Sequence, residues 1–310
     1  MSFFRTSAYP YQPVIIIGAA RSGTNMLRDV MVRLPGCGTW PCDEINYIWR
    51  HGNRDVPTDE FQPLMATPKV RGFIRRAFER QARQQALATL VEKTCANALR
   101  VAFVARVFPE ARFVYIHRDG RDVVASAIRR WTAPLDLPYI LRKARYVPLG
   151  DVPYYASRYL WNRVYRLRSR HKRLAFWGPR FEGMEEALRS YPLAGVCALQ
   201  WQRSVWKAES DLARLGPARV HAVAYEQFVT SPVSEMKRLA CFLDREISAA
   251  EAATLTAGVS ARSLDKWRKH LADEEIELVE TLLEDTLNRN VDDAFALYST
   301  ADVNAPAAVR

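Results

Sequence analysis

The five cysteines of this 310-residue chain, Cys37, Cys42, Cys95, Cys197 and Cys241, form no C-x-x-C pair, which argues against a zinc site. Their odd number also argues against a closed disulfide framework and favours a reducing compartment, although Cys37 and Cys42 lie close enough in sequence to pair. No window approaches the roughly 18 apolar residues of a membrane-spanning helix. The N-terminal residues lack the charged segment and long apolar run of a secretory signal. There is no internal repeat, and no low-complexity tract beyond an alanine-rich tail. These absences predict a soluble, cytoplasmic protein.

Positive charge, by contrast, is in excess. Forty-five Lys and Arg against 34 Asp and Glu give a formal net charge of +11, which calls for an anionic partner: a nucleotide, a nucleic acid, an acidic polymer or a membrane surface. A hydrophobic content of 49% sustains a large core. The length fits one domain over 1–310, with its core at about 13–131 and 195–290 and an insertion or lid at about 132–194.

One absence is more telling than the rest. Pro13-Val-Ile-Ile-Ile-Gly-Ala-Ala-Arg-Ser-Gly-Thr-Asn25 reads as a buried strand that empties through a small-residue loop into a helix from Met26 to Met31. Backbone N–H groups and the positive end of the helix dipole make such a loop a phosphate cradle. Gly18 and Gly23 keep the glycine spacing of the nucleotide-hydrolase loop G-x-x-x-x-G-K-S/T, but Thr24 stands where the lysine belongs. The strong cation of the loop, Arg21, sits at its middle. The loop suits a phosphate and is poorly equipped to clamp a β,γ-phosphate pair with magnesium.

Further along, Leu34–Pro68 is irregular, and helix is expected from about Val70 to Leu90 and from Leu99 to Phe108. Arg112–His117 reads as a second buried strand and Asp122–Trp131 as the helix after it. From Pro134 to Pro192 tyrosines, tryptophans and arginines dominate. Helices are then expected at Leu199–Leu215, Ser234–Leu243 and Asp273–Leu287, with a strand at Arg219–Tyr225. Strands followed by helices at these distances predict an α/β fold, a parallel sheet with both faces covered.

The second strand runs into His117-Arg118-Asp119-Gly120-Arg121-Asp122-Val-Val-Ala-Ser126. Ligands of open α/β sheets bind beyond the carboxyl ends of the strands, so Arg118 and Ser126 are placed to face the first loop. Arg118 supplies either a forked grip on phosphate or an ion pair with Asp119 or Asp122 at the helix start.

Ala20-Arg-Ser-Gly-Thr-Asn25 and Arg118-Asp-Gly-Arg-Asp-Val-Val-Ala-Ser126 together resemble the two signatures of the sulfotransferases that use 3′-phosphoadenosine-5′-phosphosulfate (PAPS). Alanine stands in place of the usual proline of the first. Glu92-Lys93-Thr94, Phe108-Pro-Glu-Ala-Arg-Phe-Val114 and Phe176-Trp-Gly-Pro-Arg180 are similar to further segments of that family. Ser263-Leu-Asp-Lys-Trp-Arg268 is similar to the basic segment that closes over its nucleotide.

The resemblance implies a three-layer P-loop-like fold with a helical substrate-side insertion, PAPS as donor, no metal, and sulfuryl transfer to an acceptor hydroxyl. It assigns the 5′-phosphosulfate to Arg21, Ser22, Gly23, Thr24 and Asn25, the 3′-phosphate to Arg118 and Ser126, and closure to Lys266, Trp267 and Arg268. In-line transfer needs fixed positive charge on the leaving side and a base on the attacking side. Arg21 and Lys93 supply the charge. The base is less directly marked, because Cys95 stands where many members carry a histidine after K-T. Glu44, with Asp43 beside it, is the candidate base, and His51 the alternative.

The basic aromatic stretch from Tyr139 to Trp177 suits a sugar or acidic acceptor, a lipid headgroup at an anionic membrane surface, or a solvated helical face. Trp161 and Trp177 are expected as core or lid packing. A carbohydrate, glycolipid or secondary metabolite is the expected acceptor. A homodimer and a peripheral contact with the inner membrane face are compatible with this reading. Two alternatives are a P-loop kinase, which the missing loop lysine disfavours, and a polyanion binder, for which no nucleic-acid-reading motif is found.

Overall fold

The computed structural model describes residues 10–132, 147–168 and 177–287. Five parallel strands form one sheet in the order β2-β3-β1-β4-β5: β1 is Gln12–Ile17, β2 Cys37–Thr39, β3 Thr89–Lys93, β4 Arg112–His117 and β5 Val220–Ala224. The continuous apolar run of β1 follows from burial on both faces, as parallel sheets require. Ile15 and Ile17 point into one apolar cluster, with Trp49, Phe78, Phe103 and Phe108. Val14 and Ile16 point into another, with Leu27, Phe228 and Leu239 on the opposite side. This period-2 alternation makes β1 the centre of a three-layer α/β sandwich.

The helices that matter for the site are α1 (Thr24–Met31), α2 (Asn46–Trp49), α3 (Pro68–Gln84), α4 (Val101–Val107), α5 (Gly120–Thr132), α6 (Val152–Arg168), α7 (Met184–Ser190) and α8 (Leu193–Ala213). Two sequence expectations are corrected. The helix expected to reach Leu90 stops at Gln84. Its start is fixed by Thr67, whose hydroxyl accepts the Val70 N–H at 3.4 Å, and by Pro68 in the first turn. At its end Ala86 turns the chain with φ 51°, and Thr89–Lys93 then enters the sheet between β1 and β2. The charged pair Glu92-Lys93 disguises this strand in the sequence. The irregular stretch Leu34–Pro68 likewise contains the short edge strand β2 and helix α2.

The insertion expected over 132–194 carries helices α6 and α7, with the non-helical stretch 177–183 before α7. Residues 133–146 and 169–176 lie outside the described residues. Its last part belongs to the core instead. Phe181, Met184 and Ala187 are buried in a third apolar cluster with Trp131, Trp201 and Leu283. Among the described residues, no helix is long and apolar enough to cross a membrane.

This topology brings three chain segments together at the carboxyl edge of the sheet: the loop after β1, the end of β3 at Lys93, and Arg118 directly after β4. Ile16 lies in register with Lys93 on one side of β1 and with Val114 on the other.

Candidate active site

The loop from Gly18 to Gly23 is shaped by close approach and by left-handed backbone. A Cβ on Gly18 would lie 2.7 Å from the Ile116 carbonyl oxygen, and one on Gly23, where φ is +93°, would meet the Tyr225 ring at 2.4 Å. Arg21 also adopts positive φ, 78°, an uncommon conformation for a side-chain-bearing residue and one associated with functional sites. That geometry aims its guanidinium toward α5, where Nε donates to Ser126 Oγ at 3.0 Å. The two motifs are therefore physically joined. Burial, together with the positive charges of Arg118, Arg129 and Arg130, lowers the Arg21 pKa from its ordinary value.

Arg118 is buried, with its guanidinium carbon over the Tyr225 ring, 4.2 Å from the centroid. Its Nη2 donates to Asp122 Oδ2 at 3.1 Å and to the Ser263 carbonyl at 2.5 Å, while Nη1 reaches the Arg21 carbonyl at 3.4 Å. The ion pair with Asp122 thus exists alongside placement at the loop. Three buried polar atoms around this loop carry no hydrogen bond: Arg118 Nε, Ser22 Oγ and Asn25 Oδ1. Unpartnered buried polar atoms are costly, and these three at one loop offer contacts that a polar ligand would satisfy.

Lys93 ends β3 with its side chain almost wholly buried. Its Nζ lies 3.1 Å from Asp43 Oδ1 and 3.3 Å from Glu44 Oε1. Burial alone would lower the Lys93 pKa, but Glu44 and Asp43 outweigh it and hold the ammonium charged. Asp43 is in turn held below its ordinary value: burial is outweighed by Lys93 and by Arg28, whose Nη1 is 2.8 Å away. Glu44 Oε1 also accepts the Cys95 N–H at 3.3 Å. Burial, then the nearby Glu44 carboxylate, pushes the Cys95 thiol up to about 12, so at neutral pH it is a thiol, 3.7 Å from Thr24 Oγ1.

Behind Glu44 lies a buried polar network. Thr94 Oγ1 accepts the Ile45 N–H at 3.2 Å and donates to Glu92 Oε1 at 2.5 Å. Asn97 donates to Glu92 Oε2 at 3.0 Å and accepts Arg100 Nε at 2.9 Å. Arg100 and Asp59 both hold the Asn46 side chain. Both residues that follow Glu44 are thereby fixed. Burial pushes the Glu92 carboxyl up to about 7, with the Thr94 hydrogen bond opposing.

Loop, Lys93 and carboxylates open into a single cavity of about 1130 Å³. Arg21, Gly23, Thr24, Asn25, Glu44, Lys93 and Arg118 all line it. Ser22 is buried within the loop, and Ser126 stands behind Arg21. The segment expected to close over the nucleotide is placed differently. Lys266 and Arg268 are exposed and Trp267 is buried, none of them in the cavity wall; Ser263 lines it instead. The reason is Asp122, whose carboxylate accepts the Asp265 and Trp267 N–H groups at 3.1 Å each and pins the segment's backbone.

His51 is likewise outside the wall, with Nδ1 2.9 Å from Asp151 and its ring stacked on Phe73. Of the core or lid packing expected for Trp161, the core position is excluded, for it is 66% exposed and lines the cavity from helix α6 of the insertion. Trp177 fits that expectation in part, packing against Trp131 while also lining the wall. Sequence reasoning missed the placing role of Asp122, which it weighed only as a partner of Arg118. It also missed Tyr225, whose ring sits under Arg118 without any sequence signal.

The sequence matches the family model described as "Sulfotransferase family" over residues 13–173 and 162–249. The chain belongs to the sulfotransferase family. No curated protein matches this sulfotransferase. Solved structures similar to it include the sulfotransferase domain of the Synechococcus PCC 7002 olefin synthase, at 15% identity over 99% of this chain and 100% of that one, with a TM-score of 0.43. The sulfotransferase domain from the curacin biosynthetic pathway is 15% identical over 96% of this chain and 99% of its own, with a TM-score of 0.45. Mouse sulfotransferase SULT7A1 complexed with PAP is 12% identical over 93% of this chain and 89% of its own, with a TM-score of 0.49.

Proposed function

We propose that the protein, acting as one domain over 1–310, transfers the sulfuryl group of PAPS to a hydroxyl of a carbohydrate, glycolipid or secondary metabolite. The observation that carries this reading is the meeting of Lys93 and Glu44 with the Arg21 loop in one cavity. The residues present fit the donor: the unpartnered Ser22 Oγ, Asn25 Oδ1 and Arg118 Nε offer buried polar contacts beside a loop of backbone N–H groups. Bound there, PAPS supplies an electrophilic sulfuryl group attached to a phosphate leaving group.

The protein's part is positioning and charge. Arg21, steadied by Ser126, and the N–H groups of Ser22 to Asn25 carry fixed positive charge at the leaving side. Arg118 holds the second phosphate of the donor, set over the Tyr225 ring and backed by Asp122. Lys93 exchanges its carboxylate partners for a sulfonate oxygen, and this releases Glu44. Glu44 then takes the proton of the acceptor hydroxyl while that oxygen bonds to sulfur and the bond from sulfur to the phosphate oxygen breaks.

A thermal-shift comparison tests the donor. Adenosine 3′,5′-bisphosphate (PAP) at about 100 times its dissociation constant stabilises a binding protein by about 2.7 kcal/mol, a rise of several degrees. Stabilisation by ATP–magnesium with none by PAP overturns the reading in favour of a kinase.

A further inference from the structure

The part of the cavity away from the loop carries information about the acceptor. Its buried charges are spent on one another. Arg50 donates to the Thr58, Arg54 and Val56 carbonyls and pairs with Asp59 at 2.7 Å. Asp59 also accepts Arg100 at 3.4 Å and the Arg180 N–H at 2.9 Å. A guanidinium so fully engaged has no fork left for a ligand carboxylate. The rest of the wall carries Arg130, Arg180 and an aromatic group. Arg180 faces Glu185 at 3.6 Å. Tyr47 and Tyr155 meet edge to face at 4.5 Å, Tyr154 and Tyr155 at 5.2 Å, and Trp161 and Trp177 line the cavity with them. The hydroxyl of Tyr155 is buried without a partner.

Helix α6 extends this wall outward. Tyr154, Ser157 and Trp161 line the cavity, and Leu160 and Val164 fall at the i+3 and i+7 positions from Ser157. Residues at i, i+3, i+4 and i+7 share one helix face. The cavity-lining face therefore continues as an apolar strip on which Trp161 is 66%, Leu160 63% and Val164 37% exposed. From Tyr154 to Val164 the strip runs roughly 15 Å at about 1.5 Å per residue.

We propose that the acceptor is an amphiphile: its hydroxyl-bearing ring lies among Tyr47, Tyr154 and Tyr155 next to Glu44, and its apolar tail leaves along Trp161, Leu160 and Val164. This rests on the donor reading above and narrows its acceptor. Continuity with the cavity wall favours a substrate tail over other occupants. Three exposed apolar side chains also fall far short of the roughly 800 Å² per partner of a stable dimer.

The test measures binding of phenol and 4-octylphenol to the PAP-saturated protein, in the wild type and in the double variant Leu160→Ser, Val164→Ser. Calorimetry with PAP alone comes first, and failure of PAP to bind overturns the donor reading and the acceptor inference with it. With PAP bound, the wild type is expected to hold 4-octylphenol at least about tenfold more tightly than phenol, since each buried methylene contributes about 0.8 kcal/mol. The double variant is expected to lose about fivefold or more of that preference. An equal preference in both proteins overturns the acceptor inference while leaving the donor reading intact. So does a double variant that keeps the preference but loses binding to phosphatidylglycerol vesicles or changes oligomeric state, which assigns the strip to a membrane or a second copy.

Discussion

Arg21 Nε and Ser126 Oγ lie 3.0 Å apart and join the loop after β1 to helix α5, across a sequence separation of 105 residues. The bond restrains a guanidinium on a left-handed backbone position, so it sets where the loop's positive charge points. Replacing Ser126 with alanine removes the restraint and leaves the charge in place. Calorimetry is expected to show PAP binding weakened about tenfold, the worth of one hydrogen bond to a charged group. An unchanged dissociation constant would show that Arg21 is held by the loop alone.

The two carboxylates on Lys93 are distinguishable by substitution. Asp43 is shared with Arg28, whereas Glu44 pairs with Lys93 and the Cys95 N–H. Glu44→Gln is expected to lower kcat by about 10²–10⁴, the usual contribution of a general base, with PAP affinity within about threefold of wild type. Asp43→Asn is expected to lower kcat far less. A Glu44→Gln enzyme with near-normal turnover removes Glu44 from the role of base.

Thr94 is expected to act on turnover at one remove. Thr94→Val strands the Ile45 N–H and one Glu92 oxygen, at a cost of about 1–3 kcal/mol in thermal or denaturant unfolding. Because Ile45 follows Glu44, kcat is expected to fall while KM for the donor stays nearly constant. Loss of stability with kcat preserved would make the network purely structural.

Stability should carry the mark of Glu92. Its carboxyl titrates at about 7 in the folded chain against 4.5 ordinarily. The folded state keeps a proton that the unfolded chain has already lost, so stability falls as pH rises from about 4.5 through about 7. Melting temperatures across pH 5 to 8 are expected to decline, and the decline to be shallower in Glu92→Gln. An identical slope in both proteins would rule out Glu92 as its source.

Some of this architecture is written locally and some is not. Val14–Ile17 and Phe113–Ile116 are unbroken apolar runs, so β1 and β4 are legible, and the glycines and Arg21 between strand and helix mark the loop. β3 is not legible, because Glu92 and Lys93 are polar in sequence and their burial depends on folded partners: Thr94 and Asn97, just past the strand, for one, and the distant Asp43 and Glu44 for the other. The aromatic content of α6 is plain in the composition, but that Trp161 lines a cavity while Trp177 also packs on Trp131 depends on tertiary placement. The Lys266–Arg268 segment teaches the same lesson. Its basic character suggests a ligand contact, while the carboxylate that fixes its backbone lies more than 140 residues earlier.

That carboxylate has one further consequence. Asp122 holds Arg118 with one oxygen and, across its two oxygens, the backbone at 265 and 267. A ligand that draws on Arg118 alters the charge facing Asp122, and Asp122 alters its grip on the chain around 265–267. By reciprocity, anything that orders or loosens that chain changes the affinity for the ligand by the same factor. Amide exchange at Asp265 and Trp267 becomes a gauge of what occupies a cavity that neither residue lines.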